Sequence, residues 1–122
     1  MQAGDCFHGV LPGSGKIPHY WMILENPDAK GLVPFVNFTT PTGSLKAHIV
    51  ERAFFPTLQY NSEVAWGFST IKPLGAIEEA IRHKLFQPKK GLSKQELSVL
   101  IDGGIQRGLI RKEISKMLNY RC

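Results

Sequence analysis

His19 is the side chain whose type and position best suit proton-transfer chemistry. It follows Pro18 and stands at the start of a strongly apolar run, Tyr20 to Leu24. An imidazole gains and loses a proton near neutral pH, so it can serve as a general acid or a general base. The alternative interpretation is an ordinary residue where a loop meets a strand, hydrogen-bonded to a backbone carbonyl.

The other chemical motifs in the chain are incomplete. Pro12-Gly13-Ser14-Gly15-Lys16 looks like a phosphate-binding loop, but a Walker A sequence needs a glycine where Val10 stands and a hydroxyl where Ile17 stands. The four histidines and two cysteines show no HxxxH, HExxH or CxxC spacing. We therefore expect a Gly-rich loop at this place, and neither a metal nor another cofactor.

The positive charge is concentrated in the second half of the chain. The net charge is +5, and residues 62–122 carry eleven Lys or Arg against six Asp or Glu, whereas the charges of residues 1–61 cancel. A basic surface favours polyanionic partners such as nucleic acid or an acidic protein. The same lysines can also serve only to keep helices solvated.

Short β-strands separated by turns are predicted for the first 70 residues. Gly, Pro, Asn and Asp punctuate segments rich in apolar, aromatic and β-branched residues. Four of these segments are expected to be strands: Cys6–Leu11, His19–Leu24, Leu32–Thr40 and Leu45–Ala53. Several short strands in succession indicate a small barrel or sandwich.

The hydrophobic spacing becomes helical after Pro73. A first helix is predicted from residues that recur at helical intervals, namely Leu74, Ile77, Ile81 and Leu85. The chain is then broken at Pro88 to Gly91.

A second helix is predicted to begin at a capping box, Ser93 to Glu96. Its buried face would contain Leu97, Leu100, Ile101 and Ile105. Gly103-Gly104 weakens the prediction for its later turns, because each interior glycine costs about 1 kcal/mol of helix stability. A last short helix is expected around Ile110 to Leu118.

Length and composition indicate a single domain over residues 1–122. With 43% hydrophobic residues, the chain can build a core. Its apolar runs are far shorter than the roughly 20 residues that cross a bilayer, and no signal peptide is visible. Cys6 and Cys122 are most simply reduced thiols. We expect a cytoplasmic protein with no membrane partner.

A characteristic order of short segments runs through residues 4–107. Gly4-Asp5 opens the first strand, Thr39-Thr40 ends the third, and Asn61 to Val64 precedes a strand that ends at Ile71 to Leu74. This order resembles the PemK/MazF-like toxins of bacterial toxin–antitoxin systems. The resemblance implies a mainly β fold with C-terminal helices (α+β), in which an SH3-like barrel spans about 4–73 and a helical part about 74–120.

The same resemblance implies a function and partners. Members of this family form homodimers, and many cut single-stranded RNA without a metal. The chain is therefore expected to be a homodimeric endoribonuclease whose partners are single-stranded RNA and an acidic antitoxin protein. It departs from the family at the start of the second strand, where the usual Arg-Pro pair is replaced by Pro18-His19. Histidine can exchange protons but lacks the bidentate fork of arginine.

The resemblance also assigns roles to side chains. RNA cleavage through the 2′-hydroxyl needs a base, an acid and groups that stabilise the phosphorane charge. The predicted catalytic residues are His19 as acid or base, Thr39 as a phosphate-binding hydroxyl and Arg52 as a cation. The predicted substrate contacts are Lys16, Thr40, Lys46 and His48. Strand alternation would put Lys46, His48 and Arg52 on one face, and Glu51, an alternative base, on the other.

Four aromatic residues have two possible roles: Trp21, Phe38, Trp66 and Phe68 can stack on bases or pack in the core. Two further classes of function also stay open. The first is a non-catalytic barrel that binds nucleic acid or an acidic peptide. The second is an enzyme that acts on a small metabolite, for which the sequence shows no motif.

Overall fold

Most of the segments predicted as strands form one antiparallel sheet. A computed structural model describes residues 1–10, 17–43, 47–53, 55, 58 and 61–118. Within this part of the chain, seven strands and three α-helices follow one another: β1 (Cys6–Gly9), β2 (His19–Ile23), β3 (Leu32–Thr39), β4 (Ile49–Val50), β5 (Ser62–Val64), β6 (Thr70–Pro73), α1 (Leu74–Arg82), β7 (Phe86–Lys89), α2 (Lys94–Gln106) and α3 (Lys112–Ser115). The predicted mainly β, α+β fold is confirmed.

The long strand β3 organises the sheet. The strand order is β4-β5-β3-β2-β1-β7, and β6 pairs with β3 outside this path. One side of β3 runs along β2; its other side meets β6 over Leu32 to Phe35 and β5 over Phe38 and Thr39. Strand β3 therefore has neighbours on both sides along most of its length.

Both faces of the sheet are covered because its central strands are apolar on both faces. Side chains alternate between faces along a strand, and β3 is buried from Val33 to Phe38. One cluster of buried residues joins the sheet to α2 and α3 and includes Met22, Val36, Phe38, Leu100, Ile101 and Ile114. A second cluster joins the opposite face to α1 and includes Trp21, Ile23, Phe35, Ile77, Ala80 and Phe86.

Most predicted element boundaries agree with the structure to within one or two residues. Helix α1 begins at Leu74, as the change in spacing predicts. The predicted strand from Leu45 to Ala53 is much shorter, because β4 contains two residues and is followed by a turn at Arg52 and Ala53. Residues 44–46 lie outside the described part of the chain.

The prediction that the first helix extends to Leu85 is wrong. Helix α1 ends at Arg82, the Leu85 N–H donates to the Ala80 carbonyl, and Lys84 takes a φ of 60°. Leu85 is exposed, and the chain returns to the sheet as β7, which pairs with β1. Pro88 is tolerated in β7 because an edge strand can spare one N–H.

The capping box of α2 is confirmed. The Glu96 N–H donates to Ser93 Oγ at 3.1 Å, and the Ser93 N–H donates to Glu96 Oε1 at 2.9 Å. Leu97, Leu100 and Ile101 are buried as predicted, but Ile105 is 42% exposed. The helix continues through both glycines. Helix α2 has 13 residues, and no helix in the described ranges is long and apolar enough to span a membrane.

Gly104 lets α2 lie directly against the indole of Trp66. A Cβ atom at this position would stand 2.7 Å from Trp66 Cζ2 and 3.0 Å from Ile110 Cγ1. We expect Gly104→Ala to lower the free energy of unfolding, because overpacking costs about 1–3 kcal/mol and the improved helix propensity offsets only about 1 kcal/mol of it. Urea denaturation followed by circular dichroism measures this change.

Gly75→Ala is the matched control for this substitution. Gly75 also lies in a helix, but a Cβ there would meet nothing within 4 Å. Its variant should be at least as stable as the wild type, because alanine restricts the unfolded chain. Equal stability of the two alanine variants would contradict the close packing of α2 on Trp66.

Candidate functional site

The register of the sheet aligns three polar side chains across neighbouring strands. Thr39 of β3 is directly opposite Glu63 of β5. In the β2–β3 ladder Tyr20 is opposite Phe38, so the next position sets His19 opposite Thr39. Directly opposed residues of antiparallel strands project to the same face. His19, Thr39 and Glu63 therefore form a row on one face of the sheet.

This row borders a groove of about 1040 Å³, which we call the sheet groove. The sheet groove is bounded by β2, β3 and β5, by the turn after β5 and by the segment that precedes α3. Its polar lining residues include His19, Asn37, Thr39, Thr42, Glu63 and Arg111. The volume is slightly above the range of about 300–1000 Å³ that is usual for small-molecule sites.

Hydrogen bonds fix the two charged side chains of the sheet groove. Glu63 Oε1 accepts from the Thr42 N–H at 3.0 Å and from the Thr42 hydroxyl at 2.7 Å. Arg111 Nη1 donates to the Ser69 carbonyl at 2.5 Å, and its Nη2 donates to Glu113 at 2.9 Å. A carboxylate and a guanidinium are therefore held at the groove with defined orientations.

The sheet groove combines groups that exchange protons with groups that bind anions. The imidazole of His19 is half-buried and makes an edge contact with the indole of Trp21, with ring centroids 6.3 Å apart. The Glu63 carboxylate can accept a proton, and Arg111 offers a planar cation that suits phosphate. The arrangement suits acid–base chemistry on an anionic substrate.

His48 lines the sheet groove but is buried, and it has a structural role there. It is 5% exposed, and its Nδ1 accepts a hydrogen bond of 2.8 Å from Trp66 Nε1. Burial, and secondarily the charge of Arg107, lowers its pKa from 6.5 to about 4. His48 is therefore neutral near pH 7, so it contributes no positive charge for a phosphate and instead positions Trp66.

The other predicted site residues are dispersed. Thr40 lines a second cleft, on the other side of the His19 strand, that His19 and Thr39 also border. Arg52 is exposed and does not line the sheet groove; its backbone N–H donates to Asn61 Oδ1. Glu51 lines a separate cleft between β4 and α2. Lys16 and Lys46 lie outside the described residues.

Cys6 carries a free thiol that is buried in the core. Burial raises the pKa of the Cys6 thiol to about 12, so this thiol stays protonated and is no nucleophile. Among the residues that the structure describes, no three His, Cys, Asp or Glu side chains are grouped as metal ligands would be.

Sequence reasoning missed Glu63, Arg111 and Asn37 as residues of the site. Asn37 could have been noticed as the polar residue inside the apolar run from Val33 to Phe38, and Glu63 as the carboxylate of a short strand. Arg111 joins the groove through a contact with Ser69, 42 positions away in the chain, which no local pattern indicates.

No protein-family model matches the chain, and no curated protein is similar to it in sequence. The function is therefore inferred from the sheet groove itself and from the order of segments in the sequence.

Proposed function

We propose that the chain is a PemK/MazF-like endoribonuclease that binds single-stranded RNA in the sheet groove and cleaves it without a metal. The observation that carries this proposal is the row of His19, Thr39 and Glu63 beside the guanidinium of Arg111. These groups together satisfy the needs of cleavage through the 2′-hydroxyl: a base, an acid and charge stabilisation. An SH3-like barrel belongs to the same proposal.

The reaction is a transesterification within the RNA strand, in which the phosphorus exchanges its bond to the 5′-oxygen for a bond to the 2′-oxygen. The Glu63 carboxylate takes the proton of the 2′-hydroxyl, and the 2′-oxygen forms a bond to the adjacent phosphorus. The bond from phosphorus to the 5′-oxygen then breaks as the His19 imidazolium donates its proton to that oxygen. The products are a 2′,3′-cyclic phosphate and a free 5′-hydroxyl, so atoms and charge balance without a co-reactant.

Arg111 and Thr39 stabilise the negative charge that develops on the phosphorane. Arg111 offers a guanidinium whose position is fixed by its bond to Ser69, and Thr39 offers a hydroxyl within the row. Arg111 thus supplies a cation that the Pro18-His19 sequence does not, and it shares this guanidinium with the Glu113 carboxylate. In this proposal Arg111 takes over the role that the sequence assigned to Arg52.

We also propose that the protein acts in the cytoplasm and that it has protein partners. Two copies of the chain pair, and an acidic antitoxin binds the basic second half. Residues 62–122 contain eleven Lys or Arg but only six Asp or Glu, which supports this part of the proposal. The exposed basic residues on α2 and on and around α3 are Lys94, Arg107, Arg111, Lys112 and Lys116.

Incubation of the purified protein with end-labelled RNA of mixed sequence tests the proposal. We expect cleavage products with 2′,3′-cyclic phosphate and 5′-hydroxyl ends, at a rate that EDTA does not change. An RNA whose 2′-hydroxyls are methylated should resist cleavage while still binding. Binding of RNA without any product would favour the alternative, a non-catalytic binding module, and would refute the nuclease mechanism.

A further inference from the structure

Two polar groups at the floor of the sheet groove have no hydrogen-bond partner among the described residues. They are the indole Nε1–H of Trp21 and the amide Oδ1 of Asn37. These residues are only 2% and 4% exposed. Buried polar atoms are nearly always hydrogen-bonded, because an unpaired one loses its bonds to water without replacement. The floor therefore carries one unused donor and one unused acceptor.

The sheet register brings this donor and this acceptor together. Trp21 and Asn37 are directly opposed in the β2–β3 ladder, so their side chains project to the same face with Cβ atoms about 4.5–5.5 Å apart. Both residues line the sheet groove. The unused donor and the unused acceptor therefore belong to neighbouring side chains on the same face of the sheet.

The edge of a nucleobase offers the matching pair of groups. Each RNA base has an acceptor next to a donor on its Watson–Crick edge, and proteins read this edge in single-stranded RNA. In a duplex the opposite strand occupies the same edge. The sheet groove, at about 1040 Å³, has room for a nucleotide.

Two side chains of the sheet groove suit the remaining parts of a nucleotide. Phe68 is 77% exposed, and a free aromatic face stacks on bases of any sequence. Arg111 suits the phosphate. An exposed ring and a fixed cation beside an unused hydrogen-bonding pair favour a nucleotide over a neutral small metabolite.

We propose that Trp21 and Asn37 bind the hydrogen-bonding edge of one unpaired base in the sheet groove. This inference deepens the proposed function and rests on it in taking RNA as the ligand. It does not require that the RNA be cleaved.

The indole proton of Trp21 reports on this contact directly in ¹H–¹⁵N NMR spectra. Its resonance should shift when at least one of the four nucleoside 5′-monophosphates is added, and ribose 5-phosphate, which has no base, should leave it in place. The Trp66 indole also lines the sheet groove, but it already donates to His48, so its signal should shift less than that of Trp21. Trp21→Phe identifies which signal belongs to Trp21.

Two variants remove the proposed contacts one at a time. Asn37→Leu and Trp21→Phe should each weaken the binding of a short fluorescent RNA of mixed sequence by about 10-fold, the loss expected for one hydrogen bond. Fluorescence anisotropy in EDTA measures this affinity. The same RNA annealed to its complement should bind the wild type at least about 10-fold more weakly. Tyr20→Phe, which removes a polar group from the opposite face of β2, is the matched control and should bind like the wild type.

The possible results separate this inference from the nuclease proposal. Unchanged RNA affinity in both variants would overturn the inference and leave the nuclease standing. Failure of the wild type to bind any RNA would overturn both. A base-dependent shift of the Trp21 signal without cleavage would support the inference and overturn the nuclease.

Discussion

His19→Ala should cleave single-stranded RNA about 10²–10⁴-fold more slowly than the wild type, the range typical for loss of a general acid or base. The imidazole lies at the end of the row that it shares with Thr39 and Glu63, where a phosphate bound by Arg111 would present its leaving oxygen. Alanine removes the proton donor but leaves the cation and the carboxylate. Cleavage rates under single-turnover conditions measure this loss at the chemical step.

Two further substitutions separate proton transfer from structural effects. His19→Gln keeps a hydrogen-bonding side chain but cannot transfer a proton, so it should be as inactive as His19→Ala. His83→Ala, an exposed histidine at the end of α1, should cleave at the wild-type rate. All three variants should retain the wild-type free energy of unfolding to within about 1 kcal/mol, as substitutions outside the packed core do. If His19→Ala cuts RNA as fast as the wild type, His19 is a strand-entry residue and the mechanism is wrong.

The second large expected effect is a decrease in the free energy of unfolding as the pH falls from about 6.5 to about 4. Burial, and then the charge of Arg107, lowers the pKa of His48 to about 4 in the folded protein. In this pH range the unfolded chain binds a proton at His48 and the folded protein does not, so the free energy of unfolding decreases. The contribution of His48 to the free energy of unfolding is fully present above about pH 6.5 and is lost near pH 4. It amounts to roughly 3 kcal/mol at most.

His48→Gln isolates this contribution from the other titrating groups. A glutamine oxygen can accept the hydrogen bond that Trp66 Nε1 now gives to His48, and it does not titrate. Urea denaturation of both proteins between pH 7.5 and pH 4 should give a wild-type curve that falls more steeply than that of the variant. Parallel curves would mean that His48 is protonated in the folded protein as readily as in the unfolded chain.

Local sequence patterns predict the elements whose boundaries are set locally. Strand β2 begins at His19 and β3 ends at Thr39, next to turn-forming segments. Helix α2 follows its capping box, which is a contact between residues three positions apart. Such features depend on neighbouring residues, so a reading of the sequence recovers them.

Strand β7 could not be predicted in this way. Leu85 continues the helical spacing of α1, yet Phe86 to Lys89 leave the helix and pair with β1. This pairing gives β1, which comes from the other end of the chain, its second neighbour in the sheet. It is a tertiary contact that overrides the local pattern, as is common for strands.

The candidate site was predicted in part for the same reason. His19 and Thr39 were found because both lie at strand ends, and adjacent antiparallel strands bring such ends together. Arg52 stays outside the sheet groove because β4 ends at Val50, before alternation could carry Arg52 onto the predicted face. Whether the polar atoms of Trp21 and Asn37 have partners depends on the tertiary structure, so no sequence pattern indicates this unused pair.

The position of β3 in the middle of the sheet has a consequence for how this protein can evolve. The floor of the sheet groove is built on the paired strands β2 and β3, whereas part of its wall is built on β5, which has three residues and lies nearer the edge of the sheet. Short peripheral strands open locally at less cost in free energy than central ones. Substitutions of exposed wall residues can therefore change ligand preference with little risk to folding, while the floor is inherited as a unit. New specificities should arise first at Gly67 and Phe68, which line the sheet groove and are exposed, on a floor that descendants keep unchanged.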